Sequence, residues 1–329
     1  MLAFTDDPRI QQILTLPEDS DPQWRLDLER FKQGDVTLDR KTAGENTIKA
    51  IQRLLIFLGY STSSSGAFSI DGDFGRGTNR AVAQFQFEHG LNPDVKRSAL
   101  GYPCTFQTAK TEIVNIPDVK LDQRTAEKML EVAIQSIENK HVNCGSFEEA
   151  IFHLNSLQRN AFLTCRKIWE RYGPAVQVAV QRIKAEKNVT IQQEWILSVI
   201  RQETAGVVRP RFEQHIFSKL NREMPNAEVS ELRYRSMSFG LGQIMGANFK
   251  GIGAPSAKAM FTSPIEDQLL YVGKFLCQSS VLRGVVAKKA PAAQDFRTLA
   301  RIYNGPGFAK HHYHESIARW FGEFRSIMG

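Results

Sequence analysis

The sequence predicts a mainly α-helical protein of two domains. Three observations carry this expectation. Apolar residues recur at spacings of three and four through most of the chain, and no stretch alternates apolar and polar long enough for a large sheet. The length, 329 residues, exceeds what one ordinary core organises. A short hairpin near Glu228 to Phe239 is the one place where strands are expected.

The elements follow in order. A polar, helical extension occupies residues 1–34. From Asn46 to Leu58, Ile48, Ile51, Leu55 and Leu58 line one helical face, and Gly59 ends the helix. The Ser-rich STSSSG leads into DGDFGRGT, a tight turn after which Thr78 is expected to cap a helix with Ala81, Val82 and Phe85 inward. A long connection, Asn92 to Val119, precedes LDQRTAEKMLEVAIQSI, whose Met129, Leu130, Ala133 and Ile137 predict a third inward face. These helices define a first domain at 35–138, and HVNCGS breaks the periodicity within a linker at 139–149. The second domain is placed at 150–329. There Pro174, after Gly173, is expected to separate two helices. Phe296, Leu299, Ala300 and Tyr303 form one later stripe, and Ile317, Phe321, Phe324 and Met328 another.

Composition narrows the function. Hydrophobic content of 42% with 23% charged residues describes a globular chain rather than a disordered one. A formal charge of +7 implies an acidic partner. Nucleic acid, anionic lipid and cell-wall polymer all fit. The basic residues are dispersed with no Lys/Arg block, so charge alone does not choose among them; in the reading developed below no nucleic-acid partner is expected. No apolar run approaches the roughly 20 residues of a membrane span, so no membrane insertion is expected. The start, MLAFTDDPRIQQIL, carries acids where a secretory signal carries bases, so no signal peptide is expected. Cys104, Cys144, Cys165 and Cys277 lie far apart and read as reduced thiols. Neither a metal nor another cofactor is expected. In DGDFG, counting Asp71 as position 1 puts Val82 at position 12, where a calcium loop needs glutamate. His311, His312 and His314 lack a partner cluster with zinc spacing and read as a solvated helix start. The chain is expected to act as a monomer.

Glu203 is the residue with chemistry to offer. At helical spacing it shares a face with Ile196, Val199 and Ile200. A glutamate at a helix end is ordinarily a solvated charge. One set against core side chains is desolvated, which raises its pKa and keeps a proton available for a leaving oxygen near neutral pH. SFGLGQIMG (Ser238 to Gly246) supplies glycines that let backbone approach a ligand, with Ser238, Gly240 and Gln243 as binding candidates. In ARIYNGPG, Tyr303 ends an apolar stripe in a hydroxyl, and Asn304 follows where the chain leaves the helix.

NTIKAIQRLLIFLGY, IDGDFGRGTNRAVAQFQFEHGL and LDQRTAEKML together resemble the small three-helix peptidoglycan-binding domain found beside many wall hydrolases. The connection before the third segment is longer than usual. The resemblance implies a glycan or stem-peptide site by the turn, using Asp71, Phe74 and Thr78. IRQETAG, SFGLGQIM and YNGPG resemble the three motifs of the lysozyme superfamily in its goose-type and lytic-transglycosylase branch. RPRFEQHIF is similar to a segment of phage N-acetylmuramidases. The whole resembles a modular phage endolysin, although Glu213 follows Glu203 more closely than that family usually has.

The resemblance implies a lysozyme-like second domain. It implies peptidoglycan as the partner and hydrolysis of the β-1,4 bond between N-acetylmuramic acid and N-acetylglucosamine. Glu203 would be the general acid. Glu213 would be a second catalytic carboxylate or, with His215, a loop-orienting group. Ser238, Gly240, Gln243, Tyr303 and Asn304 would hold the sugar. Such a protein waits in the host cytoplasm until lysis and acts on the wall. Three rivals share these features: a lytic transglycosylase, a zinc-dependent peptide-cleaving wall enzyme, and a non-catalytic wall-binding or virion protein.

Overall fold

A computed structural model describes residues 6–19, 23–33, 37–101 and 116–329. Cys104 lies outside them. The described residues are mainly helical, and they group into two compact units. One comprises residues 1–160 and 210–238, the other 161–209 and 239–329. The break falls at 160/161 rather than at 139–149, and residues 210–238 return to the first unit.

The first unit opens with α1 (Pro8–Leu14), α2 (Gln23–Gln33), α3 (Glu45–Phe57), α4 (Arg76–Glu88), α5 (Gln123–Glu138) and α6 (Phe147–Gln158). The chain then forms α7 (Cys165–Lys187) and α8 (Gln193–Glu203) of the second unit. It returns through β1 (Arg211–Phe212), α9 (Gln214–Glu223), α10 (Val229–Arg235) and β2 (Met237–Phe239). It ends with β3 (Ile244–Met245), α11 (Ala257–Thr262), α12 (Ile265–Leu276), α13 (Ser280–Val286), α14 (Ala293–Tyr303) and α15 (Tyr313–Met328).

In the first unit α3 is the hub, packed by α1, α2, α5 and α6. Its Ile48, Ile51 and Leu55 are buried as the stripe predicts, as is Leu58 just past its end. Arg53, on the same helix, is buried too, because its guanidinium donates to the carbonyls of Gln12 and Ile13 and to Gln158 and Asn155. Burial pulls its pKa down to about 9.

Three local expectations are corrected here. Gly75 caps α4, and Thr78 sits inside its first turn. On α5, Ile134 is buried and Ile137 is only half-buried. Near Glu228 to Phe239 the chain forms α10 and then β2, so no hairpin closes within that stretch. β2 instead pairs antiparallel with β1, Phe212 facing Met237. A buried ion pair fixes α10: Arg233 meets Glu88 at 2.7 Å and lies over the ring of Tyr60.

In the second unit α8 is central. Trp195, Ile196, Leu197, Val199 and Ile200 are fully buried, the all-round apolar pattern of a core helix. It packs against α7, α12 and α15, and Trp195 meets the rings of Phe296 and Phe321. Pro174 does not end a helix, because α7 runs unbroken through it. A proline there costs about 3 kcal/mol. The face formed by Ile168, Tyr172, Val176, Ala179 and Ile183 continues across it and is buried. Burying each large apolar side chain returns about 1.5–3 kcal/mol, so packing wins.

Candidate active site

Glu203 is the last residue of α8. The chain reverses immediately afterwards, with Ala205 and Gly206 at positive φ, 47° and 76°. Three hydrogen bonds fix this reversal. The Thr204 hydroxyl donates to the Leu241 carbonyl at 2.9 Å, Leu163 N–H to Ala205 O at 2.9 Å, and the Tyr172 hydroxyl to Gly206 O at 2.8 Å. The first of these also ties the end of α8 to the SFGLGQ loop.

The Glu203 carboxyl is half-buried, and burial pushes its pKa up to about 7. A single side chain opposes that shift. Tyr313, the first residue of α15, donates its hydroxyl to Glu203 Oε1 at 2.5 Å. Tyr303 is close enough that the Glu203 charge adds to burial in holding its hydroxyl well above the usual value. The same two influences, burial first, act on Tyr313, so both tyrosines stay protonated donors. Glu203 therefore faces two phenols, and among the described residues burial and Tyr313 account for its shift.

The loop after β2 is held from both sides. Gly240 takes φ +67°, and a Cβ there would meet Gln268 Oε1 at 2.8 Å. That oxygen accepts from Leu241 N–H at 3.2 Å. Tyr303 donates to the Gly242 carbonyl at 2.6 Å, so it braces the loop rather than Glu203. At Gly242 a Cβ would lie 2.4 Å from Val272 and 2.8 Å from the Tyr303 hydroxyl. Gln243, at φ +50°, turns its amide back onto Gly240 O at 3.2 Å. Gly240, Gly242, Gln268 and Tyr271 line a small pocket beside this loop. Asn304 caps α14 and is exposed, and Gly305 at φ +95° turns the chain away.

The second unit thus holds Glu203, Gly240, Gln243, Tyr303 and Asn304 of the sequence-predicted set, while Glu213 and Ser238 belong to the first. Ser238 is buried on β2 opposite Arg211. Glu213 precedes α9 and its carboxylate is engaged by Arg211 at 2.9 Å, with His215 at 3.7 Å. Tyr313 was not singled out in the sequence. It lies within HHYH, read as a solvated helix start, and only His311 and His312 fit that reading. His314 is buried against Phe308.

In the first unit the DGDFG turn is gripped by Gln52, also unforeseen. Its Oε1 accepts from Asp71 N–H and Gly72 N–H at 3.0 and 2.9 Å. Its Nε2 lies 2.7 Å from Asp71 Oδ1, 3.1 Å from Asp73 O and 3.0 Å from Thr78 Oγ1. Phe74 and Thr78 are buried within this arrangement, and Asp71 alone of the three is exposed.

Two family models match separate stretches of the chain. Residues 44–94 match the family model for a putative peptidoglycan binding domain. Residues 226–325 match that for N-acetylmuramidase, a span that begins beyond Glu203 and takes in Tyr303, Asn304 and Tyr313. No curated protein matches the chain. A solved structure, the Burkholderia AP3 phage endolysin, aligns over 89% of this chain and 99% of its own, at 19% identity and a TM-score of 0.36. Wall-binding and wall-cleaving domains in one chain give the modular organisation of an endolysin, and the activity class is a lysozyme-type glycoside hydrolase acting on peptidoglycan.

Proposed function

We propose that the protein cleaves the β-1,4 bond between N-acetylmuramic acid and N-acetylglucosamine, with Glu203 as general acid. The observation that carries this is a carboxyl whose pKa is raised to about 7 and whose Oε1 is held by Tyr313. In the neutral acid the oxygen accepting from Tyr313 is the carbonyl one, so the proton sits on Oε2. That proton passes to the glycosidic oxygen as oxocarbenium character develops on the muramic acid ring. The Tyr303 brace on Gly242 and the Gln268 brace on Leu241 keep the loop's backbone fixed beside the acid, so little reorganisation accompanies reaction. The turn around Asp71 holds polymer, raising the local concentration of bonds to cut. In this proposal the enzyme serves host lysis, waiting inside the infected bacterium until a separate lesion admits it to the wall.

A second reading has a specific observation in its favour. Glu203 titrates under burial and a tyrosine, with no second carboxylate contributing among the described residues. That suits one glutamate acting first as acid and then as base, the chemistry of a lytic transglycosylase. Mass spectrometry of fragments released from purified sacculi separates the two. Reducing-end muramic acid is expected from hydrolysis, and 1,6-anhydro ends would replace that reading with the second. Wall clearance undiminished in Glu203→Gln would reject both.

A further inference from the structure

The charge of the chain is divided unevenly. The first unit holds 23 Lys and Arg against 26 Asp and Glu, and the second holds 19 against 9. The entire positive excess therefore sits on the unit that carries Glu203. Internal pairs occupy part of it: Arg182 with Asp267, Lys274 with Glu186, Lys288 with Asp295, and Arg325 with Glu194.

The hairpin of α14 and α15 differs. It presents Arg297, Arg301, Lys310, Arg319 and Arg325, all exposed, against three acids, Asp295, Glu315 and Glu323. Glu315 is met locally by His312 at 3.3 Å. Arg297 and Arg301 stand one turn apart on the outer face of α14. The same hairpin delivers Tyr303 and Tyr313 to Glu203. A cationic surface, the donor to the acid and the brace of the neighbouring loop are thus built from one piece of chain.

We infer that the exposed face of the α14–α15 hairpin docks the carboxylate-bearing stem peptides of the wall polymer, so that the second unit recognises peptide as well as glycan. This rests on the cleavage reading above for its substrate, though docking itself needs no turnover. The amino sugars of the strand are neutral and gain nothing from guanidinium groups. The peptide carboxylates are its anionic part, and at 0.1 M salt a cluster of cations is felt over about 10 Å.

The test compares Arg297→Gln/Arg301→Gln with Lys184→Gln/Lys187→Gln, which removes equal charge from exposed positions at the end of α7. Pelleting with intact sacculi and kcat/KM on them are measured from about 20 mM to about 0.3 M salt, with melting curves to show that each variant folds. The same assays are run on sacculi whose peptide carboxylates have been capped as neutral amides. The hairpin variant is expected to start roughly threefold below wild type on intact sacculi and converge with it at high salt. The α7 variant should track wild type, and all three should coincide on the capped sacculi. Equal loss in both variants would assign the effect to diffuse charge and overturn the proposal. So would a hairpin defect that persists on the capped sacculi. If wild type released no sugar ends from either substrate, the cleavage reading would fall, while pelleting would still decide the docking.

Discussion

Replacing Glu203 by glutamine should stabilise the protein above neutral pH and leave it unchanged in mild acid. Burial holds the folded-state pKa near 7 against an ordinary value of 4.5, so the native state binds this proton more tightly than the unfolded chain. Between those two values the unfolded state releases the proton first, and stability falls as pH rises through that window. At 1.36 kcal/mol per pH unit, the ionised carboxylate costs up to about 3 kcal/mol once pH exceeds about 8. Glutamine keeps the oxygen that accepts from Tyr313 and cannot ionise. A folding unit of this size gains roughly 2–4 °C per kcal/mol, so the variant should melt roughly 6–12 °C higher at about pH 8.5 and together with wild type at about pH 4. Differential scanning calorimetry across that range is the assay. A gap that does not change with pH, or a glutamine variant that melts lower in alkali, would refute the assignment of Glu203 as a desolvated acid.

Other perturbations probe the surrounding groups. If Glu203 is the acid, the pH profile of kcat/KM should fall above about pH 7 as it ionises; Tyr313→Phe removes the donor that favours the charged form, so this alkaline limb should move upward while kcat drops about tenfold as the carboxyl loses its hydrogen bond. Gly242→Ala places a methyl against Val272 and the Tyr303 hydroxyl, and should lower kcat by at least tenfold with a melting change of only a few degrees; unchanged turnover would show that the Tyr303 brace is dispensable. Gln52→Ala leaves Asp71 N–H and Gly72 N–H without their acceptor, and should cost about 2–4 kcal/mol in the first unit and weaken pelleting with sacculi, while cleavage of short soluble glycans is preserved.

Residues whose role depends on their own helix were legible in the sequence. Ile196, Val199 and Ile200 announce a buried face, and Glu203 inherits its desolvation from them. Tyr303 was legible as a stripe residue with a hydroxyl, but its partner was not, because Gly242 lies 61 residues away in the chain. Tyr313 escaped because its histidine neighbours suggested solvent, and only the packing of α15 on α8 brings its hydroxyl to Glu203. Gln52 and Arg53 broke the apolar rhythm of α3 without any local sign of the carbonyls and turn they would serve. Pro174 misled for the opposite reason, since a local rule yielded to a face that tertiary burial had already decided. The division into units escaped for a similar reason. Residues 210–238 follow α8 in sequence, and distant pairs such as Arg233 with Glu88 draw them back to α3 and α4.

The polypeptide passes between its two units three times, at 160/161, 209/210 and 238/239. No single cut can therefore excise either as an intact piece. Shortening the chain at the apparent linker would leave the Arg233 guanidinium stranded without Glu88. Anyone grafting a different targeting module onto this enzyme must carry residues 210–238 and their buried counter-charge as one cassette, or redesign that insertion for solvent.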